Sequence, residues 1–171
     1  MLTLNSKVES AETVAGELVL PYDAREKSRL RATLESGEEV ALYTVRGTVL
    51  RDGDLLRGDD GRVVRVRAAA EDVYRIAAPS PRALLRCAFH LGNRHTQAQV
   101  VEEGGRQYLR IRRDPVLKDM LQGLGASVAE ESAPFEPESG AYGGGHHHHG
   151  EHNPLAPIPL RQKIHRPSDA S

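Results

Sequence analysis

The sequence predicts an α+β protein built from a small all-β module, a second domain that mixes strands and helices, and a polar tail. Three observations carry that prediction. Up to about residue 71, short apolar–polar alternations are separated by Asp-Gly and Ser-Gly turns, with no convincing helix. From residue 72, two helical periods, each announced by a capping residue and a proline, alternate with strand-like runs. From residue 140, hydrophobic periodicity stops and Gly, Pro and His dominate. The expected divisions are therefore 1–71, 72–139 and 140–171.

In the first module, Arg29-Leu30-Arg31-Ala32-Thr33-Leu34 alternates charged or polar with apolar, the period of a half-buried strand. Glu35-Ser36-Gly37 turns the chain into a second strand, Val40 to Val45. Between Leu50 and Val66, apolar pairs alternate with Asp52-Gly53-Asp54 and Asp60-Gly61, and Asp-Gly supplies the positive φ that hairpin turns require. A compact barrel or a pair of sheets is expected.

In the second domain, Val73 to Ala77 is a strand ending at Pro79. Ser80-Pro81 is a helix cap with a first-turn proline. Leu84, Cys87, Ala88 and Leu91 then share one helical face, and Gly92 is the expected stop. Thr96–Val101 and Gln107–Ile111 form a hairpin around Glu102-Glu103-Gly104-Gly105. Asp114-Pro115 repeats the cap-plus-proline signal before a helix carrying Val116, Leu117, Met120, Leu121 and Leu124, ended by Gly123 or Gly125. Ser127 to Glu130 is the last strand. The order β-α-β-β-α-β is that of a ferredoxin-like, split βαβ domain.

Composition narrows the function. Lys and Arg number 23 against 24 Asp and Glu, a net charge of −1, so no field gathers nucleic acid or an anionic membrane surface. No stretch approaches the roughly 20 apolar residues of a membrane span, and the first ten residues lack the basic and apolar regions of a secretory signal. A cytoplasmic protein is expected. Cys87 is the one cysteine, on the apolar helix face, where it reads as a small hydrophobe. HExxH, GxxxxGK[ST], GxSxG and a post-strand GxGxxG are all missing, so no enzyme is expected.

Histidine is the exception. Of eight in the chain, six follow residue 145. The run Gly143-Gly144-Gly145-His146-His147-His148-His149-Gly150-Glu151-His152 offers imidazoles on a glycine-rich chain, a ligand type that suits nickel, copper and zinc and ignores magnesium and calcium. Four residues, internal, with 22 residues after His149, is not the usual form of an expression tag. Elsewhere only His90 and His95 remain. Five positions apart on a helix they would lie about 140° from one another, so they make no chelating pair within one chain. His95 is then an ordinary surface or core histidine, unless a second chain brings another imidazole across a two-fold axis.

Phe89-His90-Leu91-Gly92-Asn93-Arg94-His95 resembles the Gly-Asn-Arg-His signature of the UreE urease accessory proteins. Asp114-Pro115-Val116-Leu117-Lys118-Asp119-Met120-Leu121 is similar to that family's second helix, and Ala133 to Tyr142 to its exit segment. The turn-rich module with Arg29 and Gly53-Asp54 is similar to its N-terminal domain, and the His-rich tail completes the set.

The resemblance implies a homodimeric nickel metallochaperone with a peptide-binding-type β domain and a ferredoxin-like metal domain. His95 would meet its symmetry mate at the dimer interface and hold Ni(II), with zinc or copper able to use the same ligands. His146, His147, His148, His149 and His152 could complete the coordination. The cargo would go to apo-urease, together with the urease maturation GTPase and other urease accessory proteins. The alternative is a general histidine-rich nickel or zinc buffer without a dedicated client. Relatives with extra histidines before the second helix differ from this chain, which has Arg113-Asp114-Pro115 there.

Overall fold

The structure, a computed structural model, describes residues 1–139. The tail histidines and the expected division at residue 140 lie outside the described residues. Within Met1–Glu138 the chain forms one compact unit holding two sheets.

The first sheet has six strands: β1 (Leu2–Val8), β2 (Gly16–Leu20), β3 (Arg29–Thr33), β4 (Glu39–Tyr43), β5 (Leu55–Gly58) and β6 (Val63–Ala68). Their order is β2-β6-β5-β1-β4-β3. This is one mixed sheet, not the expected barrel or pair of sheets. β3–β4 and β5–β6 are the antiparallel neighbours that the turn signals announced, but β1 pairs parallel with β4, and β2 parallel with β6. Parallel partners cannot be joined by a tight turn, so no local signal reveals them. Leu4, Leu18, Val40, Leu42, Leu56, Val64 and Val66 build its core with Leu50, which is fully buried although it lies outside any strand.

A short helix, α1 (Tyr22–Arg25), corrects the expectation that this half has none. One turn is too short to show a 3.6-residue period. Its Arg25 is fully buried, an unusual place for a cation, and each of its three guanidinium nitrogens donates a hydrogen bond. It donates to the carbonyls of Leu20 (3.2 Å), Leu50 (3.1 Å) and Phe135 (2.6 Å), and to the Glu136 carboxylate.

The second sheet holds β7 (Ala70–Ala77), β8 (Gln99–Glu103), β9 (Arg106–Arg112) and β10 (Ser127–Pro134), in the order β10-β7-β9-β8. With α2 (Pro81–Gly92) and α3 (Pro115–Gly123) the element order is the β-α-β-β-α-β expected. β8 begins three residues later than expected, and β10 runs four residues further, paired throughout with β7. The hairpin turn sits at Gly104 (φ 57°) and Gly105 (φ 72°), two successive positive φ values that a Gly-Gly step adopts without strain. Tyr74, Ile76, Leu109 and Ile111 from the strands meet Cys87 and Leu91 of α2 and Leu121 of α3 in one core.

The sheet's other face meets the first domain. Phe135, fully buried, stands edge-on to Tyr22 at 5.8 Å beside Val73, and the Arg112 guanidinium lies 5.6 Å from both rings. A second contact is ionic, Arg112 to Asp23 at 2.6 Å.

Candidate metal centre

His95 takes its position from the way α2 ends. The Ser80 hydroxyl accepts from the Ala83 amide (3.2 Å), as the cap-plus-proline signal predicts. Cys87 and Leu91 are buried, and Leu84 and Ala88 pack beside them, so the apolar face is the one expected. The helix ends at Gly92, as expected, with Asn93 (φ −62°, ψ −16°) as its cap, and the chain reverses at His95, whose φ of 53° makes it the one non-glycine residue with positive φ among the described residues. The His95 amide donates to the Gly92 carbonyl (2.9 Å) and the Thr96 amide to the Leu91 carbonyl (3.1 Å). These are the paired bonds of a Schellman motif, with histidine where glycine is usual.

The consequence is an imidazole held outward at a fixed point. His95 is exposed, as are Asn93 and Arg94 around it. The Arg94 guanidinium folds back to the His90 carbonyl (3.0 Å). His90 is half-buried, its ring edge-on to Phe89 at 5.5 Å. One turn apart on the solvent side of α2, Leu85 and Phe89 are 70% and 65% exposed, an apolar stripe that nothing in this chain covers among the described residues. No group of three or more His, Cys, Asp or Glu side chains able to hold a metal occurs among the described residues. Cys87 is no candidate ligand: it is fully buried, and burial pushes its thiol pKa up, keeping it protonated.

The loop after His95 is braced from two sides. The Gln97 side-chain amide approaches the Glu26 carboxylate of the first domain (3.5 Å). The Glu138 amide donates to the Ala98 carbonyl (2.9 Å), and the Glu136 amide to the Gln99 side chain (3.1 Å). Glu136 in turn receives Arg25, Arg51 (3.0 Å) and the Asp52 amide (3.1 Å), while Arg51 also donates to the Pro137 carbonyl (2.9 Å). The exit segment is thus locked between the domains, and its last described turn lies against the loop that follows His95. Sequence reasoning missed Arg25, Arg51 and Glu136. Nothing distinguishes them along the chain from solvated charges, because their partners are carbonyls and carboxylates more than 80 residues away or on another element.

The two-domain α+β fold presents one exposed imidazole, His95, at the end of α2, with no group of three or more metal-ligating side chains among the described residues. Comparison with known proteins narrows this to a family. The family models of the UreE urease accessory protein match residues 3–69 (N-terminal domain) and 71–157 (C-terminal domain). The chain belongs to the UreE family of urease accessory proteins. It is 72% identical to the urease accessory protein UreE of Janthinobacterium sp. (strain Marseille), over 99% of this chain and 98% of that one. The UreE of Nitrosospira multiformis is 65% identical over 99% and 98%, and that of Cupriavidus necator 57% identical over 78% and 68%.

Proposed function

We propose that this protein is a non-catalytic nickel metallochaperone of the cytoplasm, which binds Ni(II) at a site shared by two protomers and passes it to apo-urease during metallocentre assembly. The observation that carries the reading is His95, an exposed imidazole held in a strained backbone conformation at the end of a well-packed helix. A lone ligand needs others, and a two-fold axis supplies an identical one most simply. The apolar stripe of Leu85 and Phe89 on the helix that ends beside His95 suits a self-complementary contact. No described helix is long and apolar enough to cross a membrane.

The strand order β10-β7-β9-β8, with both helices packed into one core, supports a ferredoxin-like reading of the second domain, in which the Gly-Asn-Arg-His turn follows the first helix. Imidazole is a good ligand for Ni(II), and it must be neutral to bind, so protons compete with cargo as pH falls. His146, His147, His148, His149 and His152 would add weaker, exchangeable ligands. That exchange lets a carrier release its metal to urease, the urease maturation GTPase and the other accessory proteins. Deleting the gene should abolish most urease activity at limiting nickel and leave it recoverable at high nickel. Unchanged activity at limiting nickel would overturn delivery and leave a metal buffer.

A further inference from the structure

We propose that the cavity between the α1–β3 turn and the end of β4 is a docking pocket for carboxylates on an acidic loop of a partner protein. The cavity measures about 730 Å³ and is open to solvent. Its walls come from two segments held together by the Thr44 amide's bond to the Ser28 carbonyl (2.9 Å) and by the β3–β4 pairing that begins at Arg29 and Tyr43. Lys27, Arg29 and Arg46 contribute three cations, against the single carboxylate of Glu26, which faces Gln97.

These three cations line one cavity; Arg57, Arg82 and Arg86 also lack a carboxylate partner among the described residues but do not line it. Eight arginines, from Arg25 to Arg113, are paired with carboxylates. Lys27, Arg29 and Arg46 have no carboxylate partner among the described residues, though the chain carries as many acids as bases. Three like charges facing one concavity repel each other, and an entering anion relieves that repulsion. The Thr44 hydroxyl, on the same wall, is buried and has no hydrogen-bond partner. Ammonium and guanidinium groups are donors only, and a free hydroxyl can donate as well, so the matching ligand is an acceptor-only group, an oxyanion. Guanidinium forks pair bidentately with carboxylates.

Size and surroundings favour several carboxylates over one free ion. β3 is an edge strand with only β4 beside it, and Arg31 continues the cationic row on the same strand face as Arg29. An extended acidic segment can follow that row; a single phosphate cannot. The pocket also neighbours the metal-bearing loop, since Glu26 on its wall meets Gln97, two residues after His95. A partner docked there is brought to the cargo. That purpose rests on the nickel-carrier reading; the binding itself does not.

The test uses the full chain, metal-free and isotopically labelled, titrated by NMR with hexaglutamate, and in parallel with hexaglutamine and inorganic phosphate at equal ionic strength. Hexaglutamate should shift the amides of residues 26–31 and 44–47 saturably, and hexaglutamine should not. The K27Q/R29Q/R46Q variant alters exposed side chains only and should weaken hexaglutamate binding about tenfold or more, with melting temperature and nickel stoichiometry unchanged. The single variant R46Q should show a smaller loss in the same direction. Equal affinity in the triple variant, or shifts spread evenly over Arg57, Arg82 and Arg86, would overturn the pocket. Phosphate saturating the same amides as strongly as hexaglutamate would overturn the acidic-loop assignment in favour of a free ion. Nickel calorimetry on His95→Ala reports separately on the carrier reading, so either can fail without the other.

Discussion

Helices α2 and α3 are built alike and end with different residues in the same role. Each starts with a side chain accepting from the helix's third amide, Ser80 from Ala83 and Asp114 from Leu117, followed by proline. Each closes with a six-residue motif that opens on a buried leucine: Leu91 through Thr96 in α2, Leu121 through Ala126 in α3. The amide of the fifth residue bonds to the carbonyl of the second, and that of the sixth to the first, in both. The fifth residue is Gly125 (φ 86°) in α3 and His95 (φ 53°) in α2. Where only chain reversal is required, glycine takes the left-handed position. Where a side chain is required at the reversal, histidine takes it against a backbone preference of about 1–2 kcal/mol.

The comparison can be broken most sharply on function. His95→Ala in a chain cut after Tyr142 should lose the interfacial nickel equivalent entirely, while Gly125→Ala in the same chain keeps it, as isothermal titration calorimetry would read. Equal nickel binding in both would remove His95 from the site.

On stability the order reverses. Gly125→Ala should cost about 1–2 kcal/mol in urea unfolding, from left-handed strain alone, since a β-carbon there meets no neighbour within 4 Å. At the other end, His95→Gly should be about 1 kcal/mol more stable than His95→Ala, because both lose the imidazole and only alanine keeps the strain. A His95→Gly no more stable than His95→Ala would show that the position carries no strain. Because the helices start alike, Ser80→Ala and Asp114→Ala should each cost about 1 kcal/mol, with neither affecting nickel.

The smallest expected effect concerns Cys87, on the packed face of α2. Burial raises its thiol pKa above the ordinary 9.0, so the folded state favours the protonated form. The unfolded chain ionises first, and the contribution to stability, complete below that ordinary value, is lost as pH rises through the folded one. Iodoacetamide labelling at pH 8 should therefore proceed only as fast as α2 opens, and Cys87→Ala should flatten the alkaline decline in stability.

Both helices, their caps and their buried faces were legible along the chain, and so was the Gly104-Gly105 hairpin. The motif around Asn93-Arg94-His95 was legible as a resemblance, but its geometry was not. Gly92 ends the helix as expected, but the reversal to positive φ comes three residues later, at His95, where the Thr96 amide closes onto the carbonyl of the buried Leu91. The exit segment was legible as a motif too, yet what holds it was hidden. Arg25 reads as a solvated charge until the carbonyls of Leu20, Leu50 and Phe135 are brought around it.

By itself the sequence determined what is set within a turn or two of helix or a tight hairpin: capping side chains, the 3.6-residue face, the residues that accept positive φ, and a balanced charge. Those depend on neighbours a few positions away, which the chain order states outright. Only the tertiary structure decided the parallel pairings β1–β4 and β2–β6, the buried Arg25 with its clasp on Glu136, and the outward presentation of His95. Each of these depends on which distant segments meet. That is settled by the joint packing of apolar cores and by pairing most buried donors and acceptors, conditions that no local stretch of sequence contains.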